Sequence, residues 1–274
     1  MTLLAVPNVS EGRDHGAIDA IAHAFDGRML DVHSDPDHNR TVYTLAGEPG
    51  SLAYSVLDGA REAIRRVDLR GHTGAHPRVG AIDVAPIVYL KEEDRGSACA
   101  EALVLADALG AELELPVYLY GALAGGRTRA ELRRGGPAAL AELPPDFGPE
   151  HLHPGAGATL VAARPPLVAF NLELAPPATE LHAREIAARI REGGSEGLPG
   201  VRAIGLWLDD RGVAQVSTNV EDHLAVTLAH VVEAVARHAE IAETELVGLA
   251  PQAAFAGFPE EISVRNKRTI EEAL

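Results

Sequence analysis

Val201-Arg202-Ala203-Ile204-Gly205-Leu206-Trp207-Leu208, then Asp209-Asp210-Arg211-Gly212, then Val213-Ala214-Gln215-Val216-Ser217-Thr218-Asn219-Val220, reads as two strands joined by a tight hairpin turn. Helical patterns flank the hairpin. Thr179–Glu192 carries Leu181, Ile186 and Ile190 on one side, and His223–Ile241 carries Leu224, Leu228, Val231, Val232 and Val235 in register. Apolar runs at Leu167–Leu174 and Leu246–Leu249 complete the set as its first and last strands. The resulting order, β-α-β-β-α-β, is the split βαβ or ferredoxin-like arrangement.

The first half repeats this order. Leu3–Val9 reads as a strand, and a helix follows from about Asp14 through Ile18, Ile21, Ala22 and Phe25. Met29–Val32 and Arg40–Gly47 read as strands, Gly50–Arg66 as a helix and Ala81–Leu90 as a further strand. Arg95–Gly110 continues as helix and Val117–Tyr120 as a short strand. The glycine- and proline-rich stretch Gly121–Gly157, with a basic helical piece at Thr128–Arg134, is a long connection of the kind that forms binding loops or linkers. Ala158–Ala163 returns as a strand, and Arg164-Pro165-Pro166 marks a boundary between residues 1–164 and 165–274. Two such units each own a sheet with helices on one face and must cover the other. The expected fold is therefore α+β, with two ferredoxin-like subdomains, facing sheets and outer helices. Asn171 and Glu173, like Gln215, Ser217 and Asn219, alternate along their strands and share a face. The pattern fits a covered ligand site and a solvated surface equally well.

Composition narrows the function classes. The 274 residues are 46% hydrophobic and 23% charged, with a net charge of −16. Nucleic-acid binding needs a basic surface, so no nucleic-acid partner is expected. A small anionic substrate remains compatible if arginines concentrate locally. The single cysteine, Cys99, sits in an apolar helical context, forms no intrachain disulfide and suits a reducing cytoplasm. Met1–Gly12 lacks a basic leader and a cleavage signal, and no stretch reaches the length of a membrane span.

The chemistry concentrates in Gly71-His72-Thr73-Gly74-Ala75-His76-Pro77-Arg78-Val79-Gly80-Ala81-Ile82-Asp83, at the mouth of a strand. Pro77 biases His76 towards an extended backbone, and a histidine held beside an arginine is suited to proton transfer. A second cluster is His33, Asp35, Asp37, His38, Asn39 and Arg40; a third is Pro7-Asn8-Val9-Ser10-Glu11-Gly12. His33, Asp35, Asp37, His38, His72 and His76 are ligand types that suit zinc or iron. However, the last two lie around glycines rather than on a helix, and no HExxH spacing occurs, so no metal is expected. No serine occupies a Gly-x-Ser-x-Gly elbow, and no phosphate-binding glycine pattern follows a strand. What remains is histidine proton transfer, with arginine and amide groups fixing an anion.

Several segments, in order along nearly the whole chain, resemble the glutamate formiminotransferase family. They are Val6–Gly12, Asn39–Thr44, His76–Asp83, Pro116–Gly121, Pro145–Pro149, Gly157–Thr159, Ala169–Leu172 and Ala214–Asn219. Nothing resembles the cyclodeaminase domain fused to some relatives. The resemblance implies transfer of a formimino group from N-formiminoglutamate to N5 of tetrahydrofolate, during histidine degradation. It implies two α/β subdomains around the folate co-substrate, His76 as catalytic residue, and a homodimer. It also maps the folate-contacting stretch onto Gly155–Arg164, so that Gly155, Gly157, Ala158, Thr159 and Arg164, with Asn171 and Gln215, become the folate-binding set. Beside this, Asp83 or Asp35 is expected to orient the imidazole. Arg78 and Arg40 are expected to grip carboxylates, and Asn8 and Asn39 to hydrogen-bond the pterin or formimino group. One departure is Ala75, where the family commonly has glutamate before the histidine. It leaves open a related one-carbon (formyl) transfer, or a folate-binding protein of the same fold without turnover. A metal-dependent hydrolase using the His33 cluster is the remaining alternative.

Overall fold

A computed structural model describes residues 1–274. The strands are β1 (Leu3–Ala5), β2 (Asn8–Val9), β3 (Arg28–Asp35), β4 (Arg40–Gly47), β5 (Ile82–Tyr89), β6 (Val117–Leu119), β7 (Thr159–Arg164), β8 (Val168–Leu174), β9 (Val201–Leu208), β10 (Val213–Val220), β11 (Ile241–Val247) and β12 (Val264–Arg265). The helices are α1 (His15–Ala24), α2 (Leu52–Arg66), α3 (Arg95–Leu113), α4 (Arg129–Arg133), α5 (Gly136–Ala141), α6 (Glu180–Ile190), α7 (Leu228–Ala236) and α8 (Ile270–Ala273). The chain divides into two compact units, Met1–Pro165 and Pro166–Leu274.

The second unit has the expected ferredoxin-like sheet, ordered β11-β8-β10-β9, with β12 added parallel at the β11 edge. Its apolar face buries Phe170, Leu172, Val216 and Leu246 against Ala183, Ile186 and Ile190 of α6 and Val231 and Val235 of α7. Reciprocal capping boxes start both helices, Thr179 with His182 and Thr227 with His230. The expected helix His223–Ile241 is much shorter. Asp222 accepts from the amides of Leu224 and Ala225 and holds them in a turn, so helix begins only after Thr227. Ile241 then pairs with Leu174 and opens β11, so the last strand begins five residues before the expected Leu246. The local pattern missed β12 and α8, which are too short to carry a period.

The first unit contains the same core with an extension. β3, β4, the β1–β2 segment and β5 form an antiparallel set, and β7 and β6 continue it in parallel beyond β5. The expected single strand Leu3–Val9 is broken at Val6-Pro7. The Val6 amide donates to the Pro86 carbonyl and the Pro7 carbonyl accepts from Tyr43, so the segment stays stitched to β4 and β5. Helices α1, α2 and α3 cover one face, burying Ile21, Val56, Ala60, Leu105 and Leu109 over Leu3, Tyr43, Leu45, Ile87 and Val161. The long connection is no bare linker. Its helices α4 and α5 fold onto the opposite face, where Leu132 and Leu140 pack with Val84, Tyr118, Tyr120 and Leu160.

On the helix-free face of the second sheet, Asn171, Glu173, Gln215 and Glu245 are buried although polar. Arg265 binds Glu173 at 2.8 Å, Glu245 at 3.3 Å and Glu243, and Arg211 also binds Glu173. Pairing satisfies these charges, as burial requires.

Gly205 tests how closely α6 sits on β9. A Cβ there would lie 2.1 Å from the Arg184 amide nitrogen. Gly205→Ala is expected to cost about 1–3 kcal/mol by overpacking, read by urea unfolding with the lone tryptophan, Trp207, as reporter.

Candidate functional site

The site of the first unit gathers at the N-terminal end of β5. Asn8 pairs with Val84 but Val9 pairs with Ile82, so Asp83 is the extra residue of a β-bulge. Its carboxylate is fully buried. Oδ1 accepts from the Val79 amide at 2.7 Å, and Oδ2 accepts from Arg40 Nη1 at 2.5 Å and from Arg133 Nη2. Arg40 lies on β4, and its Nε donates at 3.0 Å to Asn8 Oδ1, while Asn8 Nδ2 donates to Val6 O. Arg133 comes from α4, far away in sequence.

Three loops meet around this group. Asn39, at φ +48° in the β3–β4 turn, accepts from the Gly12 amide at 2.9 Å and donates to Thr73 O at 2.8 Å. The Ala75 amide donates to Asp37 O, and a Cβ on Gly74 would fall 2.6 Å from His38 O. The loop carrying His76 therefore rests directly on backbone. Asp35 accepts from the His38 amide at 2.8 Å and shapes the turn. Arg78 donates to the carbonyls of His72, Gly74 and His76 and clasps its own loop.

His76 Nδ1 lies 2.7 Å from the Pro77 carbonyl oxygen. A carbonyl only accepts, so Nδ1 carries the proton and Nε2 presents the lone pair in the neutral ring. The expected orienting carboxylate is thus replaced by a backbone oxygen. Asp83 serves Arg40 and Arg133, and Asp35 serves the turn. The His38 ring stands beside His76, with centroids 5.9 Å apart.

The glycine-rich stretch joins the same place through backbone. Gly157 bridges Gly80, and Ala158 N and Ala81 N donate to Val79 O and Ala156 O. A Cβ on Gly80 would meet Ala158 O at 1.8 Å. The Gly155 and Ala156 amides face His153 Nδ1 at 3.3 and 2.9 Å. Thr159 is buried and donates to Ile82 O. Arg164 is not brought to this group. It pairs with Val88, five residues beyond Asp83 along β5, or roughly 17 Å at strand rise, and donates to Pro165 O. Asn171 and Gln215 belong to the buried polar face of the second unit, where Asn171 Nδ2 lies 3.4 Å from Glu245 Oε2. Arg133 was hidden from sequence reasoning; its one signal is the basic helical piece inside the long connection. No group of three or more His, Cys, Asp or Glu side chains comes together to hold a metal ion.

Comparison with known proteins decides the family. Residues 2–164 match the family model "Formiminotransferase domain, N-terminal subdomain", and residues 169–270 match "Formiminotransferase domain". The chain belongs to the formiminotransferase family. It is 39% identical to the formimidoyltransferase-cyclodeaminase of Rattus norvegicus over 90% of this chain and 49% of that protein. It is 35% identical to the glutamate formimidoyltransferase of Streptococcus pyogenes serotype M1 over 90% of this chain and 88% of that one. With the protein of the same name from Thermoplasma acidophilum it shares 34% identity over 91% and 88%. The chain spans about half the length of the bifunctional relatives it matches.

In this formiminotransferase-family site, electrostatics set the state of His76. The ring keeps partial contact with solvent, yet it is packed closely enough that desolvation is the largest influence on it. Desolvation, Arg40, Arg133 and His38 together hold its pKa well below the usual histidine value, against the opposite pull of Asp83. Burial pushes the Asp83 carboxyl up, but Arg133 and Arg40 outweigh it and hold the pKa below the usual carboxylate range. Both depressed groups bind fewer protons folded than unfolded. The stability His76 contributes is complete above about pH 6.5 and is lost as pH falls towards its folded value. That from Asp83 is complete above about pH 4 and lost below it. Denaturation between pH 8 and 5 is expected to show stability falling on the acid side, with a shallower slope in His76→Gln. A residual slope persists, because burial also lowers His72 and His223. Asp83→Asn leaves two guanidiniums facing each other without their counter-charge and is expected to cost about 3–5 kcal/mol, measured by urea titration.

Proposed function

We propose that this protein transfers a formimino group from N-formiminoglutamate to N5 of tetrahydrofolate, releasing glutamate. The supporting observation is a histidine whose tautomer is set by Pro77 O and whose neutral form is favoured by the charges of Arg40 and Arg133, in a chain of net charge −16. N5 attacks the formimino carbon and a tetrahedral intermediate forms. His76 Nε2 takes the proton that N5 loses and returns it to the departing glutamate nitrogen as the carbon–nitrogen bond breaks. One imidazole performs both transfers.

The depressed pKa of the free protein makes His76 a weak base, and this has a consequence for binding. The carboxylates of the donor, placed beside the arginines, offset their positive charge and raise the imidazole pKa when the reaction needs a base. Ala75 is exposed and supplies no carboxylate for that purpose. On this reading Asn8 and Asn39 act by placing Arg40 and the His76 loop. Gly155–Thr159 brings the folate-facing backbone beside that loop, and the two units are the two subdomains of one transferase. Asn171 and Gln215 are the second subdomain's groups for folate. We place the protein in the cytoplasm, in keeping with its lone, half-buried Cys99, and as a homodimer. No helix is long and apolar enough to cross a membrane.

Glutamate release from N-formiminoglutamate is expected to require tetrahydrofolate and to fall roughly 10²- to 10⁴-fold in His76→Ala, the range for loss of a general acid–base. Tight folate binding with no release by the wild type would instead make this a folate-binding protein without turnover.

A further inference from the structure

We propose that Arg133, carried on α4, recognises the one-carbon donor by giving its Nε–H to a carboxylate oxygen of that donor while its Nη2 stays on Asp83. The proposal rests on the function proposed above and names a residue for donor selection within it.

The observation behind it is an unfilled hydrogen bond. Arg133 Nε is buried and has no acceptor, although the side chain as a whole keeps 17% of its surface in solvent, the side from which a ligand would approach. Asp83 does not supply one in this arrangement: its Oδ1 takes the Val79 amide and its Oδ2 takes Arg40 and Arg133 Nη2, while Nε meets neither oxygen. A buried guanidinium N–H without an acceptor is costly, and an oxygen brought by a ligand would remove that cost. The guanidinium fork is suited to a planar carboxylate.

Charge points the same way. Arg40 and Arg133 share one buried carboxylate, and Arg129 adds its field to theirs. This leaves a local positive excess in a chain of net charge −16. Carboxylates answer that excess, and both the donor and the glutamate tail of folate carry them. The donor is the choice here because its carboxylates stay close to the carbon on which His76 acts, whereas those of folate lie at the far end from N5. Arg133 also acts electrostatically on His76, and Asp83 ties it to Arg40, which does the same.

The fold holds α4 in place for this task. Thr128 and Glu131 form a capping box at its start, and Leu132 is buried among Val84, Tyr118 and Tyr120. Arg129 lies over the Tyr120 ring at 5.7 Å. The pairs Gly125-Gly126 and Gly135-Gly136 before and after it have positive φ, so the chain turns sharply into and out of the helix.

The test compares Arg133→Gln and Arg133→Lys with wild type in steady-state glutamate release, alongside calorimetric titration with free glutamate as probe. Arg133→Gln is expected to raise KM for N-formiminoglutamate roughly 10- to 100-fold, with KM for tetrahydrofolate within about threefold, as for one lost charged hydrogen bond. Arg133→Lys, which keeps the charge but lacks the fork, is expected to recover part of the loss. Removing the positive charge should also move the acid limb of the pH profile upward in Arg133→Gln, because His76, still facing Arg40, His38 and Asp83, then holds its proton more tightly. Unchanged donor KM overturns the proposal. So does a parallel rise in both KM values with a lower Tm that Arg133→Lys fully restores, which would mark Arg133 as a structural clamp on α4. Glutamate binding weakened in Arg133→Gln supports the proposal even if wild type shows no turnover; turnover with donor KM unaffected by the substitution sinks the proposal and leaves the function standing.

Discussion

A fully buried carboxylate is untenable without compensation, and Asp83 has it from three directions. The charge of Arg40 enters from β4, that of Arg133 from α4, and an amide from Val79 in the loop preceding β5. Each donor belongs to a different part of the first unit, so one carboxylate fixes the strand, the loop and the long connection relative to one another. The bulge is what makes this possible. With an extra residue in β5 the strand changes face, and Ile82 packs under the helices while Val84 packs under α4. Asp83, between them, is left free of the ladder and available to the arginines.

Around that charge the assembly is mostly backbone. Gly74 rests on the His38 carbonyl, and Gly80 crosses Ala158 where no side chain fits. Arg78 and Asn39, which look like ligand-gripping residues in sequence, spend their donors on carbonyls of the His76 loop and its neighbours. Preorganisation of this kind commits polar groups to the protein's own backbone. It leaves the imidazole at a set orientation, which is what proton transfer needs.

Much of this architecture was legible from sequence, for identifiable reasons. The second unit's hairpin carries both a period of two and a turn of Asp-Asp-Arg-Gly, so Val201–Leu208 and Val213–Val220 were readable to the residue. Helix Leu228–Ala236 was over-extended because apolar spacing continues through Leu224, whereas the turn anchored by Asp222 overrides it. Loop residues were recognisable as a group by density of His, Arg, Asp and Gly. Their roles were not, because a role depends on partners distant in sequence. Arg133 is fifty residues from Asp83, and nothing local to either names the other. Arg164 shows the converse: sequence adjacency to Gly155–Thr159 suggested a shared site, but a strand intervenes and carries it to the far end of the sheet.

The field at the site is then a local reversal. A chain with net charge −16 repels dianions at long range, but beyond a Debye length of about 8 Å at physiological salt that repulsion is largely screened. Arg40 is buried and Arg133 mostly so, and their field is screened far less than that of surface charges. Asp83 limits this field rather than abolishing it, since one carboxylate faces two guanidiniums. It also lets two like charges remain close together inside a folded chain. The same residue thereby permits the arginine pair to exist and sets how strongly that pair depresses His76. The site keeps an excess of positive charge, and that excess holds the imidazole neutral.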